Sequence, residues 1–194
     1  MLSKSLHAAI WTLFSITGLA LGADQSNWPS WRGPQANGSA EGMYPSKFDA
    51  QNYLWRSALP GKGCSTPIVL KRQIYLTAPV SGKDALLCFD FDGVEKWQAV
   101  FSTENAGKHR NGSGSNASPV TDGQTIFAYF KSGTLAAVDL DGKVRWQTNL
   151  VERFGKDTLF WDHGTSPVLT EKYVIMARMR VNRGWRLSTR SVVS

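Results

Sequence analysis

Short stretches in which apolar and polar residues alternate recur along the middle of the chain, and they predict β-strands. The clearest copies are residues 85–97 and 134–146, each an apolar run followed by Asp-x-Asp-Gly and a Trp. Both Asp residues, the Gly and the Trp recur at an offset of 49 positions, since Asp90 matches Asp139. An internal repeat of this length indicates a fold built from repeated units.

A second repeated element, a Ser-Pro or Thr-Pro pair at the head of an apolar run, stands upstream of each copy. Its prolines are Pro67, Pro119 and Pro167, and their spacings of 52 and 48 residues define the period. Each period predicts a Pro-containing strand, a strand rich in β-branched and aromatic residues, a strand ending in Asp, and a fourth ending in Trp. The second strands are expected over residues 73–78, 125–130 and 173–179, and the third over 86–90 and 135–139.

Turn residues separate these strands. A Ser-Gly pair precedes the third strand, and Asp92-Gly93 or Asp141-Gly142 precedes the fourth. Asp-Gly predicts a two-residue hairpin with a type I′ turn, in which both central residues have positive φ. Four antiparallel strands repeated at this interval are typical of a β-propeller blade. We therefore predict an all-β fold, an incomplete β-propeller of about two and a half four-stranded antiparallel blades, with blade one over residues 64–101, blade two over 114–150 and a partial blade three over 164–179.

The conserved order of Asp and Trp within the repeat has a functional and a structural interpretation. Asp-x-Asp also opens the calcium loop of an EF-hand, but Phe101 and Leu150 stand where that loop needs a bidentate Glu. A structural turn is therefore favoured. The repeated Trp is expected to fill the interface between blades and not to form a ligand platform.

The third repeat departs from the pattern over residues 180–194, which are rich in Arg and Ser and contain no Asp-Gly pair. We interpret this aberrant basic tail as a frameshift or a truncated reading frame, because it begins within a required strand. The alternative is a basic tail that binds nucleic acid or anionic lipid. Leu54-Trp55 resembles the end of a further blade, and a closed propeller needs at least four. The expected partners are other protein chains or the missing blades of a longer propeller.

Charge changes this picture only at the two ends of the chain. The 194 residues include 22 Lys and Arg against 15 Asp and Glu, a formal net charge of +7, yet residues 24–171 hold 15 of each. No nucleic-acid partner is expected for this neutral body. Lys4 and the apolar run from Ala8 to Leu21, closed by small residues, predict a cleaved signal peptide over residues 1–23, with a permanent transmembrane anchor as the alternative. The protein is expected to be secreted or periplasmic, touching the membrane only through the signal peptide before cleavage, and residues 24–54 to form an N-terminal extension.

The two cysteines are expected to be free thiols, buried or half-buried, unless the entry loop bends across to join them. Cys64 precedes the first strand of blade one and Cys88 lies in its third strand. Strands two apart in a sheet are separated by about 9.5 Å, whereas a disulfide needs Cα atoms within about 7 Å.

The repeat resembles the pyrrolo-quinoline quinone (PQQ) repeat of quinoprotein-dehydrogenase-like β-propellers. The resemblance covers roughly residues 55–179 and rests on the Ser-Pro-Val strand, the Leu-x-Ala-x-Asp strand, the Asp-Gly turn and the Trp. In addition, Asn-Trp-Pro-Ser-Trp-Arg-Gly-Pro at residues 27–34 and Pro-Gly-Lys-Gly at 60–63 are similar to the start of a bacterial group of exported PQQ-like propellers.

The resemblance implies one of two functions. Catalytic members oxidise alcohols or sugars with PQQ and calcium in the central channel, and the methanol-type enzymes carry a vicinal Cys pair. Other members, such as the outer-membrane barrel-assembly lipoprotein, are binding scaffolds without a cofactor. Because Cys64 and Cys88 are not adjacent, we expect a non-catalytic binding or assembly scaffold with no cofactor, metal or catalytic residue. The alternative is the remnant of a PQQ-dependent alcohol or sugar dehydrogenase, with PQQ and calcium as its cofactors.

Propeller geometry implies that a binding site lies where the first strands begin, at the mouth of the central channel. Two long loops lead to these positions, and long loops on a rigid scaffold commonly carry binding groups. The candidate residues are Ser65, Arg110, Asn116, Asp162 and His163. Adjacent residues of an extended segment point to opposite sides, so Asp162 and His163 are not expected to form a catalytic pair. His163 is interpreted as a hydrogen-bonded structural residue.

Overall fold

The computed structural model describes residues 27–47, 49, 51 and 53–178. The predicted signal peptide, residues 1–23, and the basic tail, residues 180–194, lie outside the described residues. No helix within the described ranges is long and apolar enough to cross a membrane.

Two four-stranded antiparallel sheets and one hairpin follow each other along the chain. Blade one has strands β1 (Ile68–Leu70), β2 (Gln73–Thr77), β3 (Lys83–Asp90) and β4 (Glu95–Thr103), paired in that order. Blade two has β5 (Val120–Thr121), β6 (Thr125–Tyr129), β7 (Thr134–Asp139) and β8 (Val144–Asn149), again in chain order. The short helix α1 (Leu150–Phe154) follows, and then β9 (Val168–Leu169) pairs with β10 (Val174–Ile175). The predicted all-β architecture of repeated four-stranded units is confirmed.

The fourth strands are longer than the sequence predicted. Trp97 pairs with Cys88 in the middle of the β3–β4 ladder, and β4 continues to Thr103. The reason is that alternation persists beyond the Trp, since Ala99 is buried between two exposed neighbours. The second strand of the third repeat is shorter than predicted, Val174–Ile175 in place of residues 173–179.

The Asp-Gly turns differ from the predicted type I′ geometry. Gly93 has φ 77°, whereas Asp92 is not among the residues with positive φ. The Gly93 N–H donates to the Asp90 carbonyl at 3.1 Å, and the ladder shifts register beside the turn, which together describe a type I turn followed by a glycine bulge. The cause is the first Asp of the motif: Asp90 Oδ1 accepts from the N–H of Asp92 at 3.0 Å and of Val94 at 2.9 Å.

The second copy repeats this capping. Asp139 Oδ1 accepts from the N–H of Asp141 at 3.1 Å and of Lys143 at 2.8 Å. Each first Asp of the repeat is therefore a turn cap.

Trp97 packs between blade one and blade two, as predicted for the repeated Trp. The Trp97 indole N–H of blade one donates to the Leu140 carbonyl of blade two at 3.0 Å. A Cβ added to Gly142 would lie 2.7 Å from the Trp97 ring, so the ring lies directly on the glycine of the Asp-Gly turn. Trp55 repeats this arrangement on Gly93, with its indole N–H 2.5 Å from the carbonyl two residues before that glycine. Trp55 thus occupies the place of a fourth-strand Trp in front of blade one.

Apolar side chains fill the spaces between the units. Residues from blades one and two share one buried cluster, and residues from blade two and the third hairpin share another. The first includes Ile68, Tyr75, Leu86, Cys88, Ile126, Phe130 and Val138, and the second Phe127, Tyr129, Leu135, Leu150, Val174 and Met176. Cys88 is buried, which raises the pKa of its thiol to about 12, and Cys64 is exposed. Both thiols are free, as predicted, but the expectation that Cys64 is buried or half-buried was wrong, because it lies in the loop before β1.

Residues 27–38, named here the inner segment, run along the inner edges of β1 and β5. Trp28 and Val69 exchange backbone hydrogen bonds of 2.8 and 2.9 Å, and the Thr121 N–H donates to the Pro29 carbonyl at 2.9 Å. A turn follows in which Gly33 has φ 76° and lies under the Trp28 ring. The innermost strands of two blades are therefore covered on their free edges.

Candidate binding loops and inner cavity

Two long loops lie together at the end of the blades where the first strands begin, named here the loop end. Residues 104–116 form most of the connection between β4 and β5, and residues 155–167 connect α1 to β9. Backbone hydrogen bonds anchor the first of these loops to this end: the Glu104 N–H donates to the Gly82 carbonyl of the β2–β3 turn at 3.0 Å, and the Cys64 N–H to the Ser115 carbonyl at 3.1 Å. The loops that the sequence singled out are thus neighbours.

Asp162 holds the two loops to each other. Its carboxylate accepts from the backbone N–H of Lys108 at 2.8 Å and of His109 at 3.3 Å, and forms an ion pair of 2.7 Å with Lys131. The Asp162 side chain is 4% exposed and that of Lys131 10%. Burial raises the pKa of Asp162, but the hydrogen bonds from Lys131 and the two backbone groups outweigh this effect and lower its pKa below the ordinary value. Asp162 is therefore a charged clamp that holds the two loops together, and its carboxylate oxygens are already bonded within the fold.

The clamped loops present aromatic and cationic side chains to solvent. Phe160 is 80% exposed and Trp161 63%, and their rings meet edge to face with centroids 4.9 Å apart. His109 meets Trp161 edge to face at 5.4 Å. Arg110 is exposed, and no hydrogen bond or ion pair joins its guanidinium to another described residue. We call His109, Arg110, Phe160 and Trp161 the loop surface.

A depression of about 450 Å³ lies beside the loop surface. Lys62, Glu104 and His109 supply its charged and titratable groups. Lys62 Nζ donates to the backbone carbonyl of Arg110, so the segment that precedes blade one also supports the 104–116 loop. One cation of this depression is therefore bonded to the backbone of Arg110.

Ser65 and Asn116 use their polar atoms inside the fold. The Ser65 hydroxyl accepts from the Thr77 N–H at 3.0 Å and donates to the Thr77 carbonyl at 3.2 Å, which ties the start of β1 to β2. Asn116 Oδ1 accepts from the Ser113 N–H at 2.8 Å and from its hydroxyl at 3.1 Å. These two candidates stabilise the loops from within, whereas Arg110 lies on the loop surface and Asp162 lies beneath it.

His163 faces away from the clamp, as expected for the neighbour of Asp162 in an extended segment. It is buried against Tyr129 with ring centroids 5.0 Å apart. The expected hydrogen bond is not formed, because the ring packs on an aromatic side chain and neither ring nitrogen has a hydrogen-bond partner among the described residues. Burial lowers the pKa of His163; Asp157 opposes this effect and Arg178 adds to it. The imidazole is thus neutral in the interface between blade two and the third hairpin.

Several structurally important residues were not found from the sequence. The hydroxyl before each Pro forms a ladder between blades: Ser118 Oγ accepts from the Thr66 N–H at 2.8 Å, and Ser166 Oγ from the Ser118 N–H at 2.9 Å. The signal was present, because Ser or Thr precedes Pro in all three repeats. Arg178 donates to the carbonyls of Leu150 at 2.6 Å and Gly155 at 2.9 Å, and no sequence pattern indicated this contact.

Asp84 is a second unexpected feature at the loop end. It is fully buried in β3 and neither carboxylate oxygen has a hydrogen-bond partner. Burial raises its pKa to about 7; the nearby hydroxyls of Ser132 and Ser102 reduce this rise, and the charge of Glu104 adds to it.

A larger cavity of about 730 Å³, named here the inner cavity, lies between the inner segment and strands β5 and β9. Trp31 and Arg32 line one side, and Thr165, Val168 and Leu169 line the other. Among the described residues, Arg32 is the charged side chain of its lining, and no carboxylate lines it.

Calcium, which quinoprotein enzymes use together with PQQ, does not fit the described lining of the inner cavity. Calcium takes six to eight oxygen ligands and depends on carboxylates, and the lining supplies none. Within the described residues, no three His, Cys, Asp or Glu side chains are grouped to hold a metal ion. No chemical step through this cofactor is therefore assigned to these residues.

Comparisons with known proteins agree with the repeat architecture. A protein-family profile described as outer membrane protein assembly factor BamB matches residues 48–183. No curated protein sequence matches the chain. Among solved structures, a europium-containing methanol dehydrogenase aligns with a TM-score of 0.53 at 15% identity, covering 79% of this chain and 27% of the enzyme.

Two further structures match more weakly. BamB from Moraxella catarrhalis aligns with a TM-score of 0.44 at 18% identity, covering 63% of this chain and 32% of BamB. A quinohemoprotein alcohol dehydrogenase from Pseudomonas putida HK5 aligns with a TM-score of 0.44 at 18% identity, covering 64% of this chain and 18% of the enzyme. The chain therefore spans less than a third of the length of each of these three structures. Because the family profile covers more than half of its residues, the chain belongs to the PQQ-like β-propeller repeat family described as outer membrane protein assembly factor BamB.

Proposed function

We propose that this PQQ-like repeat protein is an exported, non-catalytic scaffold that binds another polypeptide through the loop surface. The observation that carries the proposal is the pair of exposed aromatic rings, Phe160 and Trp161, held beside Arg110 by the buried clamp of Asp162 and Lys131. Export rests on the sequence pattern of residues 1–23, and N-terminal sequencing of the mature protein tests it.

The loop surface has the chemistry of an interface anchor. Trp, Tyr and Arg dominate the binding energy of protein interfaces, and contiguous exposed apolar groups on a soluble domain mark interaction sites. Asp162 and Lys131 fix the loops before a partner arrives, which reduces the entropy lost on binding. Aromatic side chains add contact area at little cost because they have few rotatable bonds.

The charge of the loop surface defines the partner. Arg110 and Lys62 are both exposed, and Glu104 is the carboxylate in the neighbouring depression. A segment that carries Asp or Glu beside an apolar side chain would pair with the cations while its apolar group contacts Trp161. We therefore expect an acidic, partly apolar polypeptide.

Trp146 indicates a second kind of partner. It occupies in blade two the position of Trp97 in blade one, where the ring covers the Asp-Gly turn of the next blade. Among the described residues no Asp-Gly turn covers Trp146, and we infer that it receives one from a further blade. That blade belongs to a longer propeller or to another protein chain.

A peptide-binding measurement tests the loop surface. A labelled peptide that alternates Asp and Leu is expected to bind more tightly than the same peptide with Lys in place of Asp, measured by fluorescence anisotropy at two salt concentrations. Trp161→Ala should weaken binding by about tenfold or more, and Arg110→Ala should reduce its salt dependence. Tyr44→Ala, an exposed aromatic elsewhere in the chain, is the matched control.

Two results would overturn the proposal. One is equal binding of the acidic and basic peptides, or equal loss of binding with Trp161→Ala and Tyr44→Ala. The other is dye-linked oxidation of alcohols or sugars by the purified protein after PQQ and calcium are added, which would support the dehydrogenase alternative.

A further inference from the structure

The inner edges of the blades pair with polypeptide backbone at equivalent positions. The residue two after the repeated Pro is Val69 in blade one, and it exchanges two backbone hydrogen bonds with Trp28. The equivalent residue in blade two is Thr121, whose N–H donates to Pro29. The inner segment supplies both partners. Pairing at this position is thus a repeated property of the first strands.

Leu169 is the third member of this series and follows Pro167 by the same two residues. In the β9–β10 hairpin, the Thr170 N–H donates to the Tyr173 carbonyl at 2.9 Å, so Thr170 and Tyr173 form the hydrogen-bonded pair. The next pair, Leu169 and Val174, is then the non-hydrogen-bonded pair of the antiparallel ladder. The N–H and C=O of Leu169 therefore point away from β10, toward the inner cavity.

The inner cavity has room for a strand at this edge. Its volume of about 730 Å³ lies within the range of sites that enclose a ligand. Val168 is 58% exposed and Trp31 57%, so apolar side chains are available for contact beside the N–H and C=O groups of Leu169. Arg32 adds a cation on the side of the inner segment, with its guanidinium 5.8 Å from the Trp31 ring.

We propose that the inner cavity is a strand-pairing site, in which an extended segment of a partner polypeptide hydrogen-bonds to Leu169. The occupant is a polypeptide because polypeptide backbone occupies the two equivalent edges at Val69 and Thr121. Its alternate side chains contact Trp31 and Val168, which favours an apolar residue there, and a carboxylate in the segment pairs with Arg32. This recognition mode adds a strand to an exposed sheet edge.

This site is separate from the loop surface and requires a different chemical feature of its ligand. Strand pairing requires amide N–H groups on the peptide, whereas binding at the loop surface depends on side chains. A peptide alternating Val and Glu, and the same peptide N-methylated at every amide, distinguish the two demands. Both carry identical side chains, and only the first can donate backbone hydrogen bonds.

The experiment measures affinity by calorimetry on the full chain and protection of single amides by hydrogen exchange. The unmethylated peptide is expected to bind at least tenfold more tightly than the methylated one and to protect the Leu169 amide at least tenfold, with the Lys172 amide of the hairpin turn unchanged. Because an acidic, partly apolar peptide also fits the loop surface, these affinities are measured in the Trp161→Ala background, where adding Trp31→Ala or Arg32→Ala should weaken binding several-fold.

Other outcomes would overturn the inference. Equal affinity of the two peptides, or binding without protection of the Leu169 amide, excludes strand pairing at this edge. Loss of binding with Trp161→Ala but not with Trp31→Ala would assign the peptide to the loop surface and leave that proposal intact. Hydrogen exchange at Leu169 reports on the wild-type chain, so the result does not depend on whether a variant folds.

Discussion

Replacing the buried Asp84 by Asn is expected to remove a pH dependence from the stability of the blades. The carboxyl group has an ordinary pKa of 3.8 in the unfolded chain, and burial raises it to about 7 in the folded protein. Below the lower value it is protonated in both states, so folding carries no penalty from this group. As the pH rises, the unfolded chain loses the proton first, and the free energy of unfolding falls until the folded group ionises near pH 7.

The size of this effect follows from the two pKa values. Their difference, about 7 minus 3.8, multiplied by 1.36 kcal/mol for each pH unit, is about 4 kcal/mol. The wild-type protein should therefore lose about 4 kcal/mol of unfolding free energy between pH 4 and pH 8 through this residue. Asn does not titrate, and its amide is close to the hydroxyls of Ser102 and Ser132, so Asp84→Asn should be the more stable protein at pH 8.

Urea unfolding followed by tryptophan fluorescence at pH 4.5, 6 and 8 measures this difference. Asp92→Asn is the matched control, because Asp92 is exposed. If the difference in unfolding free energy between Asp84→Asn and wild type is the same at all three pH values, the carboxyl of Asp84 is not a buried titrating group and the reasoning fails.

Three further predictions concern the contacts between units. Gly142→Ala should destabilise the protein by about 1–3 kcal/mol more than Gly123→Ala in thermal unfolding, because both glycines have positive φ but only a Cβ at 142 meets the Trp97 ring; equal costs would contradict this. Trp97→Phe should cost about 1 kcal/mol or more in urea unfolding through the lost indole hydrogen bond, and no change would show that the bond contributes nothing. Asp162→Asn should lower the free energy of unfolding by about 3 kcal/mol, because it leaves the Lys131 charge buried without its partner. It should also speed proteolysis within residues 104–116, and an unchanged cleavage rate there would show that Asp162 does not hold the loops together.

The blades themselves were predictable because their information is local. Alternation, turn residues and a repeated Trp lie within one period of the sequence, and each hairpin pairs neighbours in the chain. The turn type was wrong for an equally local reason. The rule for Asp-Gly considers the two central residues, whereas Asp90, two residues earlier, caps the turn and changes its geometry.

The sequence predicted where the two candidate loops lie, but not what their individual residues do. Propeller geometry identified the loop end and the two loops, yet Asp162 meets Lys108 and Lys131 across a sequence distance that no pattern of spacing encodes. The exposed rings of Phe160 and Trp161 have the same explanation, since an aromatic pair in a loop is apolar core or exposed surface depending on contacts distant in sequence. Asp84 was overlooked because a polar residue in an alternating strand normally faces solvent.

The inner segment also determines the order in which the molecule acquires its structure. Each blade is built from hairpins between adjacent strands, and such local contacts form early because closing a short loop costs little entropy. The pairs Trp28 with Val69 and Pro29 with Thr121 require both blades to be present before the segment has an edge to join. Residues 27–38 leave the ribosome before either blade, but they are expected to be among the last to fold. The inner segment thus docks onto the two blades late in folding, and the rate at which it docks reports when both blades have formed.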